Sequence, residues 1–297
     1  RILADEGTAV PVLLGDREEI SATAREHDLS LEGLAIVDPA TTPARAGYAE
    51  LLWRRRQRRG VTLAEARRRM LEPVYFGSLM VAQGDADALV AGQNQHYPDA
   101  IGPALRAVGG ERGSAVAGIY MMVLHSETYF FADCTVNIDP DADRLAEIAV
   151  AAAGFVRRLG IEPRVAMVSF SNFGSAPHPE SEKVAAAVRR LHATEPTLAV
   201  DGEMQADTAV VERILTRVYP FNRLHGAANV LIFPGLAAAN ASYKLLHRLG
   251  GAEAIGPILV GMAAPIHVLQ RGSDVDDIVT MAAIAAVDAQ DRRRGPP

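Results

Sequence analysis

Short apolar runs alternate with longer helical patterns along almost the whole chain, and no other feature limits the fold as strongly. The runs Val10–Gly15, Leu34–Asp38, Ala88–Gly92, Arg164–Phe170, Leu198–Asp201, Asn229–Pro234, Pro257–Gly261 and Ile266–Leu269 read as strands. Bounded by Gly, Pro and Asp, such runs suit parallel strands covered on both faces. Helical periodicity fills the gaps at Val74–Ala82, Asp141–Leu159, Ser181–Ala193, Asp207–Val218, Ala238–Leu249 and Asp274–Gln290. The alternation predicts right-handed βαβ units and an α/β fold.

One place breaks the rhythm. Ser114–Leu124 and Tyr129–Cys134 flank the turn-like His125–Glu127 with no helix between them, which predicts a hairpin. We read it as the crossing between two α/β domains. Domain I comprises 1–119 and 262–297, and domain II is the inserted 120–261. A cleft between the domains is then the expected ligand site.

With 297 residues and a 49% apolar share, the chain can bury one large core or two ordinary ones. No apolar run reaches the roughly 18 residues that span a bilayer. The N-terminal RILADEGTAV lacks the basic-then-apolar form of a signal peptide and reads as the tail of a longer helix, so an excised cytoplasmic domain is expected. A net charge of −6 argues against nucleic acid as a partner. The basic run Trp53–Gly60 reads first as a solvated helical face and second as a site for an acidic partner or for phosphates. The lone Cys134 excludes an internal disulfide and any multi-cysteine zinc site, and the histidines are scattered without ligand spacing. No metal is expected.

Phosphate-loop, dinucleotide, zincin and nucleophile-elbow motifs are all absent. What remains are loops at strand ends, where ligands collect in open α/β sheets. The first is Ser171-Asn172-Phe173-Gly174-Ser175, a Gly/Ser loop suited to offering backbone N–H groups to an anion. Asp201, Gln205 and Asp207 fall in the second, Asn240 at the end of the third, and Gln270, Arg271, Ser273 and Asp277 in the fourth. Ser273 followed by Asp276 reads as a capping box that starts a helix at about Asp274. The first-turn N–H groups and Arg271 suit an anion there, and the plainer reading is that Asp274, Asp276 and Asp277 only complement the helix dipole.

Together DGEMQADTAVV, ANVLIFPGLAAANASYKLLHRLGGAEAIGPILVGMAAPIHVL and RGSDVDDIV resemble the phosphotransacetylases, which move acetyl between coenzyme A and phosphate. The resemblance implies two α/β domains of the isocitrate/isopropylmalate dehydrogenase-like kind, a homodimer or higher homo-oligomer, and no bound prosthetic group. It places the family's catalytic aspartate on Asp277 and its phosphate-side arginine on Arg271.

Three departures stand out. Active members carry S-T-K-G-S in the first loop, an arginine before P-A-L, and a serine before R-G. Here those positions hold Phe173, Gly102 and Gln270. SNFGS is similar to the C-terminal half of the large bacterial NADP-dependent malic enzymes. That similarity implies a regulatory domain that binds acetyl-CoA as allosteric inhibitor and mediates assembly, its own acetyl transfer lost. Its partner would be a fused malic enzyme half holding the NADP and Mg/Mn sites. The alternative is a working phosphate acetyltransferase, and a third reading is an assembly module without a ligand.

Overall fold

The computed structural model describes residues 1–92, 97–125, 127–270 and 272–294. The chain divides into two compact units, Arg1–Gly109 with Met262–Pro297, and Gly110–Gly261. The seam placed at 119 by the sequence lies at Gly109 because the strand beginning at Ala117 hydrogen-bonds only to strands of the second unit.

In the first unit, α1 (Ile2–Asp5) precedes β1 (Val12–Leu14). Helix α2 (Arg17–Glu26) starts at Asp16, whose Oδ1 accepts from the N–H of Glu18 at 2.8 Å and of Glu19 at 2.9 Å. It returns the chain to β2 (Ala35–Val37), parallel to β1 with Val12 opposite Ala35. Helices α3 (Arg45–Arg56), α4 (Leu63–Arg69) and α5 (Pro73–Gln83) follow. From Val74 to Val81, α5 is buried on every side, as an uninterrupted apolar helix must be. A Cβ at Gly77 would stand 2.8 Å from Cδ1 of both Leu14 and Leu89. The bare backbone therefore lets those side chains of β1 and of β3 (Leu89–Ala91) lie against the helix.

The basic run is not simply a solvated face. Arg56 donates from Nε to the Arg106 carbonyl at 2.5 Å and from Nη2 to the Leu105 carbonyl at 2.7 Å, and Arg55 reaches the Ala107 carbonyl at 3.1 Å. These are the last carbonyls of α6 (Tyr97–Ala107), which otherwise lack partners. Burial, with Arg59 and Arg106 nearby, lowers the pKa of Arg56.

The second unit opens with the hairpin β4 (Ala117–Leu124) and β5 (Glu127–Ala132), Leu124 opposite Glu127. Helix α7 (Ala142–Arg158) buries Leu145, Ile148, Ala149, Ala152 and Phe155 at helical spacing. The chain continues through β6 (Arg164–Val168), α8 (Pro179–Thr194), β7 (Ala199–Met204), α9 (Ala206–Val210) and α10 (Glu212–Val218). It ends with β8 (Val230–Ile232), α11 (Leu236–Gly250) and β9 (Glu253–Val260).

The strands form one mixed sheet in the order β7-β6-β8-β5-β4-β9. The ladders from β5 through β8 and β6 to β7 are parallel, and β4 is antiparallel to both its neighbours. Neighbouring residues of a strand face opposite sides. Phe130 meets Phe155 of α7 on one face, while Phe131 shares a cluster on the other with Tyr120 and Tyr243 of α11, whose rings stack at 3.9 Å.

Two sequence expectations change here. The helix expected over Asp207–Val218 is two pieces that break at Val211, whose backbone is extended. Strand β9 begins at Glu253 rather than Pro257, because a bulge in β9 opposite Ile119–Met121 of β4 absorbs Gly256-Pro257.

The chain then re-enters the first unit as β10 (Ile266–Val268), parallel to β3 with Ile266 opposite Leu89, and α12 (Val275–Arg294). No helix among the described residues is long and apolar enough to cross a membrane.

Candidate active site

The loop between β6 and α8 is held from inside. Every backbone N–H from Ser171 to Ala176 already donates within the protein. Ser171 N–H reaches Ser169 Oγ at 3.2 Å, Asn172 N–H Ser175 Oγ at 2.9 Å and Phe173 N–H the Glu203 carbonyl at 2.8 Å. Gly174 N–H reaches Glu203 Oε1 at 2.6 Å, Ser175 N–H the Asn172 carbonyl at 3.0 Å and Ala176 N–H Ser171 Oγ at 3.1 Å. The anion-cradling role expected of these amides is thus taken by the protein's own oxygens.

Glu203 is the centre of that arrangement, and sequence reasoning passed over it. The carboxylate is 4% exposed, and its Oε1 also accepts from Ser171 Oγ at 2.8 Å. The strand expected to end at Asp201 runs on through Met204, so Glu203, like Asp201, is a buried strand residue. Their alternation along the strand was the available signal.

Phe173 has a left-handed backbone, φ 48°, unusual for an aromatic. Its ring packs with Tyr219 and Phe221, both with centroids at 5.0 Å, and against the cluster of Ala166, Met204, Ala209 and Leu215. The ring is thus anchored in a core beneath α9 and α10. The ring also lines a cavity of about 380 Å³ between the loop, α8 and β7, all within the second unit.

The other candidates of this unit are tied in differing degrees. Asn172 Oδ1 accepts from Gln205 N–H at 2.8 Å, and Gln205 Nε2 donates to the Phe170 carbonyl at 2.7 Å, so both pin the loop to β7. Asp201 accepts from Gly202 N–H at 3.0 Å and Arg223 N–H at 2.7 Å. Asp207 bonds Thr208 N–H at 2.8 Å in the first turn of α9, and Asn240 reaches the Cys134 carbonyl at 3.4 Å. Burial pushes the Cys134 thiol well above its usual range, helped by the neighbouring Asp133, so it is no nucleophile. Lys183 offers no replacement cation at the loop, since its Nζ lies 3.0 Å from Asp139 and 2.9 Å from Glu180.

Gln270, Ser273 and Asp277 belong to the first unit, and Arg271 lies outside the described residues. The capping box sits one residue later than expected. Asp274 N–H donates to Asp277 Oδ2 at 3.0 Å and Asp277 N–H to Asp274 Oδ1 at 2.9 Å, while Ser273 turns back to the Gln270 carbonyl at 3.0 Å. An aspartate caps as well as a serine, so the pattern alone could not choose between the two registers. Asp277 is exposed, and its Oδ1 carries no hydrogen bond.

At Gly102, Arg106 Nη2 folds back to 3.0 Å from where a Cβ would stand. Its Nε donates to Tyr75 Oη at 2.6 Å, an oxygen that also accepts from Arg69. Among the described residues no three His, Cys, Asp or Glu side chains gather as metal ligands.

This strand-end chemistry on a mixed α/β scaffold has close counterparts. Residues 1–286 match the Phosphate acetyl/butaryl transferase family, and the chain belongs to that family. It is 40% identical to the phosphate acetyltransferase of Bacillus subtilis (strain 168) over 288 residues, covering 97% of this chain and 89% of the relative. Among solved structures it superposes on a phosphotransacetylase from Streptococcus pyogenes with a TM-score of 0.93 at 35% identity, covering 98% of this chain and 89% of the other. The EutD phosphotransacetylase from Staphylococcus aureus gives 0.87 at 35% identity, covering 94% and 86%.

These likenesses overturn the expectation of an acetyl-CoA-sensing appendage of a malic enzyme. The similarity runs nearly end to end along relatives named for phosphate acetyl transfer, and nothing in it points to an oxidoreductase, NADP or allosteric inhibition. The inference from SNFGS gave a five-residue loop more weight than the rest of the chain.

Proposed function

We propose that this chain is an acyltransferase that exchanges acetyl between coenzyme A and inorganic phosphate. The observation that carries the reading is the near-complete, 40% identical match to a protein of that activity. In the reaction the coenzyme A sulfur attacks the carbonyl carbon of acetyl phosphate. The C–O bond to phosphate breaks, phosphate leaves with the electron pair, and the thiol proton passes to a base.

Asp277 is the base the resemblance assigns, and its geometry suits the task. One oxygen fixes the carboxylate in the capping box while Oδ1 stays open to solvent. Arg271, by the same resemblance, holds the phosphate. Phe173 and Gly102 stand where active relatives place cations, so charge stabilisation falls to fewer groups and turnover is slower than in a relative with both. The discontinuous, dehydrogenase-like two-domain arrangement and the homodimer belong to the same proposal. The first is supported by the division of the chain at Gly109 and Met262.

The test is the formation of thioester from acetyl phosphate and coenzyme A, followed by its ultraviolet absorbance. Turnover that requires both substrates is the expected result. Thioester formation no faster than in buffer overturns the proposal.

A further inference from the structure

Helix α11 is apolar on two faces. Its inner face packs Ala239 and Tyr243 into the cluster with Tyr120, Phe131 and Leu231 of the sheet. Its outer face carries Ala238, Ala241, Leu245 and Leu249, three or four residues apart and all exposed. Leu249 is 82% exposed and Leu245 57%. Ile138, 77% exposed, extends the strip at the start of the helix, where its carbonyl accepts the Leu236 N–H at 3.0 Å. Single exposed leucines are ordinary, whereas an apolar row along one helix marks a contact surface.

Two properties of the strip point to its occupant. The first is size. The N-terminal half is small, with Ala238 and Ala241, and the C-terminal half is bulky, with Leu245 and Leu249. A second α11 laid antiparallel, with a two-fold axis at the level of residue 243, sets Leu249 against Ala238 and Leu245 against Ala241 in both directions at once.

The second property is charge. Lys244 and Arg248, both exposed, flank the leucine half, and Arg248 has no carboxylate partner among the described residues. At the alanine end Asp139 follows Ile138 with its side chain 82% exposed, and it shares the single ammonium of Lys183 with Glu180. The same rotation brings the cationic end of each copy towards the acidic end of the other.

We propose that this face of α11 is where two copies of the chain meet. The inference rests on the homodimer of the proposed function and gives it a surface; it needs no step of acyl transfer.

Sedimentation of the whole chain at micromolar concentrations is expected to show a dimer. Leu245→Glu sets a carboxylate in the middle of the strip and is expected to weaken the dimer at least ~10²-fold, leaving monomer. Arg248→Glu brings like charges together at both ends and weakens it about tenfold, and adding Asp139→Arg restores the association. A second readout does not depend on how the monomer behaves. Cys134 is buried, so Ala241→Cys supplies the accessible thiol, and a short bismaleimide is expected to join two chains through it.

A chain that stays monomeric overturns both the surface and the homodimer. A dimer that Leu245→Glu leaves intact, or that the reagent fails to join through position 241, overturns the surface alone. Should Leu245→Glu fail to fold, the cross-link decides. Thioester formation reads separately, and its absence from a dimeric chain refutes the transfer alone.

Discussion

Two carboxylates, one in each unit, show how differently the same group can be held. Glu203 sits at the buried edge of a sheet with one oxygen fixed by a hydroxyl and an amide of a neighbouring loop. Asp277 lies exposed in the first turn of a helix, tied through one oxygen to the residue three positions before it. The first acts mainly on shape: remove it and donors from another segment are stranded. For the second the proposed role is chemical, since water can replace its capping contact but not a base. Burial, not residue type, separates the two.

Glu203→Ala is the sharpest way to break this contrast. Losing the acceptor strands the buried Ser171 hydroxyl, whereas solvent can take over the amide of the exposed Gly174; a stranded buried group costs about 1–3 kcal/mol, so a loss of about 2–3 kcal/mol is expected in urea unfolding. A loss below the error of the measurement would mean that solvent reaches the loop and that the carboxylate does not hold it. Asp277→Asn should leave the unfolding midpoint nearly unchanged, because asparagine caps equally well, while kcat falls at least ~10²-fold. Equal damage to stability and rate would dissolve the distinction.

Phe173→Ala tests the anchor. A fully buried Phe→Ala costs about 3–5 kcal/mol, and this half-buried ring should cost roughly 2. A neutral result would place the ring in solvent rather than in the cluster with Tyr219.

The smallest effect concerns Cys134, buried like Glu203 but titratable within reach of experiment. Its folded pKa is raised, so above about pH 8.5 the unfolded thiol ionises while the folded one stays neutral, and stability falls as pH rises through that window. Between pH 7.5 and 9.5 this group removes on the order of 1 kcal/mol, a loss that Cys134→Ala abolishes. An identical pH slope in the variant would show that the thiol ionises equally in both states.

Much of the architecture was legible because it rests on local rules. Alternating periods marked the βαβ units, and the helix-free gap around His125 marked the hairpin. What escaped was decided by contacts between segments. Strand β7 extends through polar Glu203 only because the loop from β6 supplies its hydrogen-bond donors. The break at Val211 carries no Gly or Pro to announce it. Ser273 and Asp274 are equally good caps, so the register at Asp277 followed the packing of α12 rather than the motif. Ser171, Asn172, Gln205 and Asp201 were found as candidates for a ligand cleft. In the fold Asn172 and Gln205 bond each other and Ser171 bonds Glu203, and no inspection of SNFGS in isolation could reveal a partner found about thirty residues away on Glu203.

The complete internal use of the amides from Ser171 to Ala176 also bears on exchange with solvent. A loop of this kind ordinarily trades its protons for deuterons quickly until a ligand settles on it. Here those protons should already be slow to leave in the empty protein. Adding phosphate should slow them little further, because the segment already holds its finished form before any ligand arrives.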